Sequence, residues 1–237
     1  STTSTGFGIT GFSGVSEAIG KHGMTLLSNC TIAVFAKAPR PGTAKTRLIP
    51  LLGPNGAAAL QRRLLEHTLH TAQAAALGPI ELWCTPDIDD PDLLTASALI
   101  AAPLHTQCDG ELGTRMAQTF LTILARTPRC ILIGSDCPSL TAQDLKDAEN
   151  ALDNHDAVLG PAEDGGYYLI GLRNELNVNL VRLFENIEWG TDTVLAATRR
   201  RMKSLNLRWR ELPFRWDVDR PEDYARLGRE MPALCKN

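Results

Sequence analysis

Cationic side chains concentrate in one short stretch near the start of the chain. The stretch holds four cations within eleven residues: Lys37, Arg40, Lys45 and Arg47. Two prolines and a glycine interrupt it, namely Pro39, Pro41 and Gly42, so we expect a loop. Backbone amides and cationic heads in such a loop can hold a diphosphate. We interpret it as a binding loop through five positions, Lys37, Pro41, Gly42, Lys45 and Arg47, with a purely structural basic loop as the alternative.

A Walker A loop is the obvious competing interpretation of this stretch. That pattern requires glycine at positions 39 and 44, where the sequence has Pro39 and Ala44. The usual phosphate-binding nest of that motif is therefore not expected here.

A carboxylate follows the most strand-like segment of the chain. Asp136 follows the apolar, β-branched run Ile131–Gly134 after a single serine, and Pro138 ends the hydrogen-bonding ladder. A capping function for Asp136 is not needed, because Thr141 and Asp144 already form a helix-capping pattern. A nucleophilic Cys137 would need a nearby base, and none is close in sequence. We predict that Asp136 contacts a ligand.

Further polar positions follow other predicted strands. Gly110 and Arg115 flank a glycine-punctuated turn, which is either a close approach to a ligand or an ordinary loop. Asp164 precedes Gly165 and Gly166, and it either orients a ligand or only starts the turn. Thr191 is expected to cap the next helix.

Toward the end of the chain, two carboxylates, Asp217 and Asp219, precede a helix with Pro221 at its first position. Asp219 is a natural helix cap, and a second function in metal binding is compatible with that. His67 and His70 lack an acidic or cysteine companion at metal-ligand spacing, so we expect a solvated or partly buried pair.

These residues need an α/β scaffold to bring them together. Short β-rich runs alternate with helical patterns: strands near 31–36, 80–84, 101–107, 131–134, 157–161, 167–172 and 205–212, and helices near 54–76, 116–125 and 142–152. This alternation predicts a three-layer α/β/α sandwich with a mostly parallel sheet and one cleft at the carboxyl ends of the strands.

Size and composition limit the possible functions. The 237 residues, 43% hydrophobic, suit one domain over residues 30–237, preceded by a disordered extension over residues 1–29. A net charge of −3 predicts no nucleic acid partner. No apolar run is long enough for a membrane span. Six cysteines without a C-x-x-C pair suit buried thiols in a cytoplasmic protein.

The residues expected in the cleft further limit the class of protein. Cations, acids and glycine turns suit an anionic diphosphate held through Mg²⁺ or Mn²⁺, which prefer carboxylate and phosphate oxygens. A serine hydrolase is disfavoured because G-x-S-x-G is absent, and a Rossmann dehydrogenase because no G-x-G-x-x-G follows the first strand.

The motifs together resemble the bacterial family of small GT-A-type glycosyltransferases that includes arsenosugar-biosynthesis members. The resemblance runs from about residue 31 to about residue 228 and is carried by Lys37–Leu48, Gly110–Met116, Gly134–Pro138, Gly160–Leu169 and Trp189–Thr191. It implies a nucleotide-diphospho-sugar transferase fold. The usual Asp-x-Asp of GT-A enzymes is replaced by Ser135-Asp136-Cys137-Pro138.

A more distant similarity links Asp136 and Asp219 to sugar and cofactor nucleotidyltransferases, through a closing segment like Asp217–Asp223. The chain departs from them because its first loop lacks their glycine-rich opening.

The resemblance implies transfer of a glycosyl group from a nucleoside diphosphate sugar to a small acceptor. Asp136 and Asp219 would hold the metal, Asp164 would orient the sugar or act as base, and Lys37, Lys45 and Arg47 would neutralise phosphate. Further substrate contacts would come from Pro41, Gly42, Gly110, Arg115, Gly165, Gly166 and Thr191. The alternatives are a nucleotidyltransferase that releases pyrophosphate and an inactive nucleotide-binding protein.

Overall fold

The computed structural model describes Ser1, residues 29–176 and residues 179–236. Most of the extension predicted for residues 1–29 therefore lies outside the described residues. Within the described residues, no helix has both the length and the apolar character needed to cross a bilayer.

One sheet of seven strands forms the centre of the described structure. Its spatial order is β3-β2-β1-β4-β6-β5-β7. Pairs that involve β6 are antiparallel, and the other pairs are parallel. The strands are β1 (Cys30–Lys37), β2 (Ile80–Thr85), β3 (Leu104–Thr106), β4 (Arg129–Gly134), β5 (Ala157–Pro161), β6 (Tyr167–Arg173) and β7 (Trp209–Glu211). The predicted mostly parallel sheet is confirmed, with β7 at an edge as expected.

Helices cover both faces of this sheet, as predicted. They are α1 (Ile49–Ala75), α2 (Pro91–Ile100), α3 (Leu112–Leu124), α4 (Ala142–Ala151), α5 (Leu180–Phe184), α6 (Val194–Ser204) and α7 (Pro221–Glu230). Helices α1, α2 and α4 share one apolar core with alternate strand residues, and α3, α5 and α6 share the other. Because both faces are covered, the central strands are apolar at nearly every position.

Two helices start earlier than the sequence predicts. Helix α1 begins at Ile49 and has a non-helical break at Gly53, so Pro54 starts its straight body. Helix α3 begins at Leu112 and includes Gly113, which the sequence analysis placed in the turn. A Cβ atom on Gly113 would lie 2.8 Å from the Phe184 carbonyl oxygen and 2.8 Å from the Trp189 ring. Glycine is needed there because the helix packs closely against Phe184 and Trp189.

The predicted cap at the start of α4 is confirmed. Thr141 and Asp144 form a reciprocal capping box, and Arg215 donates to both carboxylate oxygens of Asp144 at 2.8 and 3.0 Å. Burial raises the pKa of Asp144, but the hydrogen bonds from Arg215 and Thr141 outweigh it, so the pKa is lowered overall. This buried carboxylate therefore ties α4 to the segment that leads into Asp217.

Replacing Asp144 with alanine should destabilise the protein by about 3 kcal/mol, because it removes the carboxylate half of the capping box and leaves Arg215 partly buried without an acid. Urea unfolding measures this change. The matched control is Asp147→Ala on the same helix, where the side chain is exposed and a change within about 0.5 kcal/mol is expected. Equal losses in the two variants would contradict the assigned function of Asp144.

Candidate active site

The loops that carry the predicted site residues meet at the carboxyl edge of the sheet. Strands β1 and β4 are neighbours in the centre, and the chain continues from β1 toward β2, on the side away from β4. Such a reversal of strand order opens a crevice outside the carboxyl ends, where ligands of open α/β sheets bind. The loop after β1 and the turn after β4 lie on the two sides of this crevice.

Lys45 and Asp136 meet across this crevice. The Lys45 ammonium lies 2.8 Å from an Asp136 carboxylate oxygen, with the lysine side chain 3% exposed and the aspartate side chain 51% exposed. The same ammonium donates to the Val218 carbonyl oxygen at 2.6 Å. Lys45 has a left-handed backbone, with φ 47° and ψ 47°, which is unusual for a residue other than glycine. One buried cation thus joins three separate segments of the chain.

A second ion pair lies beside the first. Arg47 pairs with Asp219, and both side chains are substantially exposed. Asp219 is not the cap of α7, because Asp223 accepts from the backbone amides of Asp219 and Arg220 at 3.1 and 2.8 Å. The helix-cap interpretation of Asp219 is therefore wrong, and its carboxylate is held by the loop after β1.

Asp217 is a candidate that the sequence analysis named but did not assign to the site. Its pKa is raised to about 6, mainly by burial and also by the nearby charges of Asp164 and Asp136, while Lys45 lowers it. Three aspartates therefore lie close enough to interact electrostatically. The Asp-x-Asp pattern of the closing segment indicated that acids lie here, but the sequence did not show which of the two faces Asp136 and Asp164.

The turn between β5 and β6 carries Asp164. Its carboxylate accepts from the Gly166 amide at 2.8 Å, which is the turn-starting contact that the sequence analysis weighed as the alternative. Gly165 has φ +90°, and a Cβ atom there would lie 2.1 Å from the Asp192 carbonyl oxygen. Glycine is required at 165 because the loop before α6 packs directly on this turn.

Thr191 lies in that loop but does not cap α6 as predicted. The helix begins at Val194 with Thr193 as its N-cap, and the Thr191 hydroxyl donates to the Glu188 carbonyl oxygen at 2.8 Å. The loop extends two residues further than expected, because the Leu195 amide bonds to the Gly165 carbonyl oxygen at 2.9 Å.

The remaining positions of the loop after β1 are mostly held by local contacts. Lys37 donates to the Thr43 carbonyl oxygen at 2.8 Å, and Pro41 and Gly42 are exposed at the apex, with Gly42 at φ +82°. Arg40 bonds to Asp87 and Asp90 in the loop after β2. Arg40 therefore anchors the loop, which leaves Lys37, Lys45 and Arg47 as its candidate ligand-binding cations.

Arg115 and Gly110 lie after β3, on the same edge of the sheet. Arg115 donates to the Gln107 side chain at 2.8 Å, and its buried Nε atom has no hydrogen-bond partner in the described structure. Gly110 is exposed at φ +110°. No contact within the described residues joins Arg115 to the three aspartates.

Cys137 does not have the properties of a nucleophile. It is buried beside Asp136, and burial raises the pKa of its thiol to about 11. Cys30, Cys84 and Cys130 are buried in or beside strands, as predicted.

Asp136, Asp164 and Asp217 are neighbouring carboxylates that could bind a divalent metal. Within the described residues, no three or more His, Cys, Asp or Glu side chains form a preformed metal cage. Mg²⁺ commonly uses only one or two carboxylates and completes its shell with water and substrate phosphates. Burial, together with the charges of Asp164 and Asp136, raises the pKa of Asp217. A cation would stabilise these neighbouring acids, so they fit a metal that arrives with a phosphate ligand.

Comparison with known proteins agrees with this fold. A solved structure from Desulfovibrio desulfuricans G20, described as a candidate nucleotide-diphospho-sugar transferase, is 30% identical with a TM-score of 0.75, covering 88% of this chain and 97% of that chain. The 4-diphosphocytidyl-2C-methyl-D-erythritol synthase of Anaerococcus prevotii is 10% identical, with a TM-score of 0.59 and coverage of 87% and 98%. Rv0371C of Mycobacterium tuberculosis H37Rv, solved as a manganese complex, is 19% identical, with a TM-score of 0.54 and coverage of 86% and 100%. No curated protein matches the sequence.

The sheet order and the position of the crevice define a protein of the nucleotide-diphospho-sugar transferase fold. A family model described as "Uncharacterized protein conserved in bacteria (DUF2064)" matches residues 68–191, just over half of the chain. The chain belongs to this bacterial family.

The raised pKa of Asp217 predicts a specific pH dependence of stability. The folded pKa of about 6 exceeds the unfolded value of about 4, so the folded state binds more protons in that range and loses stability as pH rises from about 4 to about 6. Asp217→Asn should remove this loss. We expect its melting temperature to match that of the wild type near pH 4 and to exceed it by a few degrees at pH 7.

Asp147→Asn, which removes a charge from an exposed position, is the matched control for this measurement. A difference between Asp217→Asn and the wild type that stays constant from pH 4 to pH 7 would contradict the buried acidic environment.

Proposed function

We propose that this protein is a metal-dependent glycosyltransferase that moves a sugar from a nucleoside diphosphate sugar to a small acceptor. The observation that carries the proposal is the contact between Lys45 and Asp136 in the central crevice, beside Asp164 and Asp217. Phosphate-neutralising cations and metal-binding acids are the two parts that transfer from a diphosphate requires. The 30% identical relative, named as a candidate nucleotide-diphospho-sugar transferase, supports this class.

The cations of the loop after β1 would bind the diphosphate. Lys37, Lys45 and Arg47 lie on one loop, and the exposed backbone at Pro41 and Gly42 leaves room for a phosphate group. During the reaction these cations would stabilise the negative charge that accumulates on the departing nucleotide.

Asp136 would bind the metal together with Asp219 or Asp217. When bound, Mg²⁺ or Mn²⁺ would supply Lewis-acid stabilisation of the diphosphate leaving group. Asp217 is added here because its carboxylate interacts with Asp136 and Asp164, whereas Asp219 pairs with Arg47. Bound ligands would exchange these partners: the metal would take the carboxylates, and the phosphates would take Lys45 and Arg47.

Asp164 would act on the sugar or the acceptor. Its exposed carboxylate can accept the proton of an acceptor hydroxyl while that oxygen forms a bond to the anomeric carbon and the bond from that carbon to the diphosphate breaks. Gly165, Gly166 and Thr191 would border the sugar through the packed turn and loop. Gly110 and Arg115 would contact the nucleotide at the carboxyl end of β3.

A nucleotidyltransferase is the second candidate function. The closing segment Asp217–Asp223 favours it, because it places two carboxylates within reach of the same cations. In that reaction an acceptor phosphate oxygen would attack the α-phosphorus of a nucleoside triphosphate, with release of pyrophosphate.

Incubation with Mn²⁺ and each nucleotide class separates the two reactions. We expect nucleoside diphosphate to be released from one or more nucleoside diphosphate sugars, and Asp136→Asn to reduce the rate at least about a hundredfold. Release of pyrophosphate from nucleoside triphosphates would support the second candidate and refute the first. Binding without turnover in either assay would identify a nucleotide-binding protein.

The proposed exchange of partners predicts that replacing Lys45 changes the affinities for a metal and for a phosphate ligand in opposite directions. Lys45→Met removes the cation that competes for Asp136, so Mn²⁺ alone should bind about tenfold more tightly, whereas inorganic pyrophosphate should bind about tenfold more weakly. Isothermal titration calorimetry measures both affinities. The matched control is Lys203→Met, which removes the same charge from an exposed position on α6. A parallel change in both affinities would refute the exchange.

A further inference from the structure

Helix α1 contacts the turn that carries Asp136. The Gln61 side-chain amide donates to the Ser135 hydroxyl oxygen at 3.0 Å, and both side chains are buried. Six residues further along the helix, the His67 Nε2 atom donates to the Pro138 carbonyl oxygen at 3.0 Å. These two contacts lie on either side of Asp136 and Cys137.

The turn is also held by Val218 in the closing segment and by Trp216 directly before it. The Val218 amide donates to the Asp136 carbonyl oxygen at 2.9 Å. The Ser139 hydroxyl donates to the Trp216 carbonyl oxygen at 3.0 Å and accepts from the Trp216 amide at 3.1 Å. The backbone around Asp136 is therefore clamped between α1 and the closing segment, while its carboxylate stays half exposed.

Gln61 lies in apolar surroundings on α1. Its neighbours along the helix include the fully buried Leu60, Leu64 and Leu65, and Gln61 itself is only 4% exposed. A buried amide costs free energy unless it is hydrogen-bonded, and a leucine or methionine of similar size would suit such a position at least as well for packing. What the amide adds is a directional bond to Ser135.

The same helix also follows the cationic loop. Lys45 and Arg47 directly precede α1, and Gln61 and His67 lie on its straight body. The helix therefore connects the cationic loop to the turn that carries the acid. Supporting bonds of this kind, one step removed from the ligand, commonly control metal affinity.

We infer that Gln61 and His67 are positioning residues for Asp136, which act through Ser135 and Pro138 without contacting the ligand. The inference rests on the proposed function for the ligand, but the clamp on the turn can be measured without it.

The test variant is Gln61→Met combined with Ser135→Ala, which removes both partners and keeps the packing apolar. Hydrogen exchange in residues 134–140 should rise about tenfold, and Mn²⁺ affinity in the presence of inorganic pyrophosphate should fall about tenfold. The melting temperature should stay close to that of the control Thr68→Val, a buried change on the same helix. His67→Leu is an independent variant with the same expected direction.

Making the same changes in a second background, Asp136→Asn, distinguishes a positioning effect from a general loss of structure. In an Asp136→Asn background, the Gln61 and Ser135 changes should not lower Mn²⁺ affinity further, because there is no carboxylate left to position. Unchanged exchange in residues 134–140, unchanged Mn²⁺ affinity, or an equal loss in the Asp136→Asn background would each overturn the inference. If the wild type shows no Mn²⁺ binding that depends on Asp136, the proposed function fails, and the exchange measurement alone decides whether the clamp exists.

Discussion

The arrangement of this site depends on one buried ammonium group. The Lys45 side chain is almost fully removed from water, and a buried charge is tolerated only when it is paired and hydrogen-bonded. Asp136 supplies the charge and the Val218 carbonyl oxygen supplies a second acceptor. These partners come from the turn after β4 and from the closing segment, so the requirement to satisfy one cation holds three distant segments together. The left-handed backbone at Lys45, which costs about 1 kcal/mol or more, is maintained because these contacts over-determine it.

The acids of the site outnumber the cations that pair with them. Lys45 and Arg47 face Asp136 and Asp219, while Asp217 and Asp164 add further negative charge at the same edge of the sheet. Under the proposed function, this set would have two arrangements: one in which the cations pair with the acids, and one in which a metal takes the acids and a phosphate takes the cations. The second would require both ligands, because either ligand alone would leave one set of charges without partners in a partly buried crevice. Metal binding and phosphate binding would then depend on each other.

Sequence patterns predicted the scaffold better than the pairings within the site. The apolar run before Asp136, the capping box at Thr141 and Asp144, and the alternation of strands and helices depend on neighbours along the chain, and the structure confirms them. Which neighbours Asp217 and Asp219 meet depends on the path of the closing segment. The Val218 amide bonds to the Asp136 carbonyl oxygen, whereas the Asp219 amide bonds to the Asp223 carboxylate. The Gln61 and Ser135 bond joins two residues far apart in sequence, each unremarkable in its local pattern. Such contacts exist only after the sheet has formed.

A break in helix α1 separates its first turn, beside the cationic loop, from the straight body that contacts the turn of Asp136. Gly53 adopts φ 68° and ψ 166°, which interrupts the helix between the first turn, next to Lys45 and Arg47, and the straight body that carries Gln61 and His67. A Cβ atom at Gly53 would meet no neighbour within 4 Å, so the glycine is required for its backbone conformation and not for close packing. Under the proposed function, the cations and the acid would differ in what holds them. Lys45 would depend on partners that a metal or a phosphate can replace, whereas the bonds from Gln61 to Ser135 and from His67 to Pro138 hold the backbone around Asp136 independently of any ligand, from the part of the helix beyond Gly53.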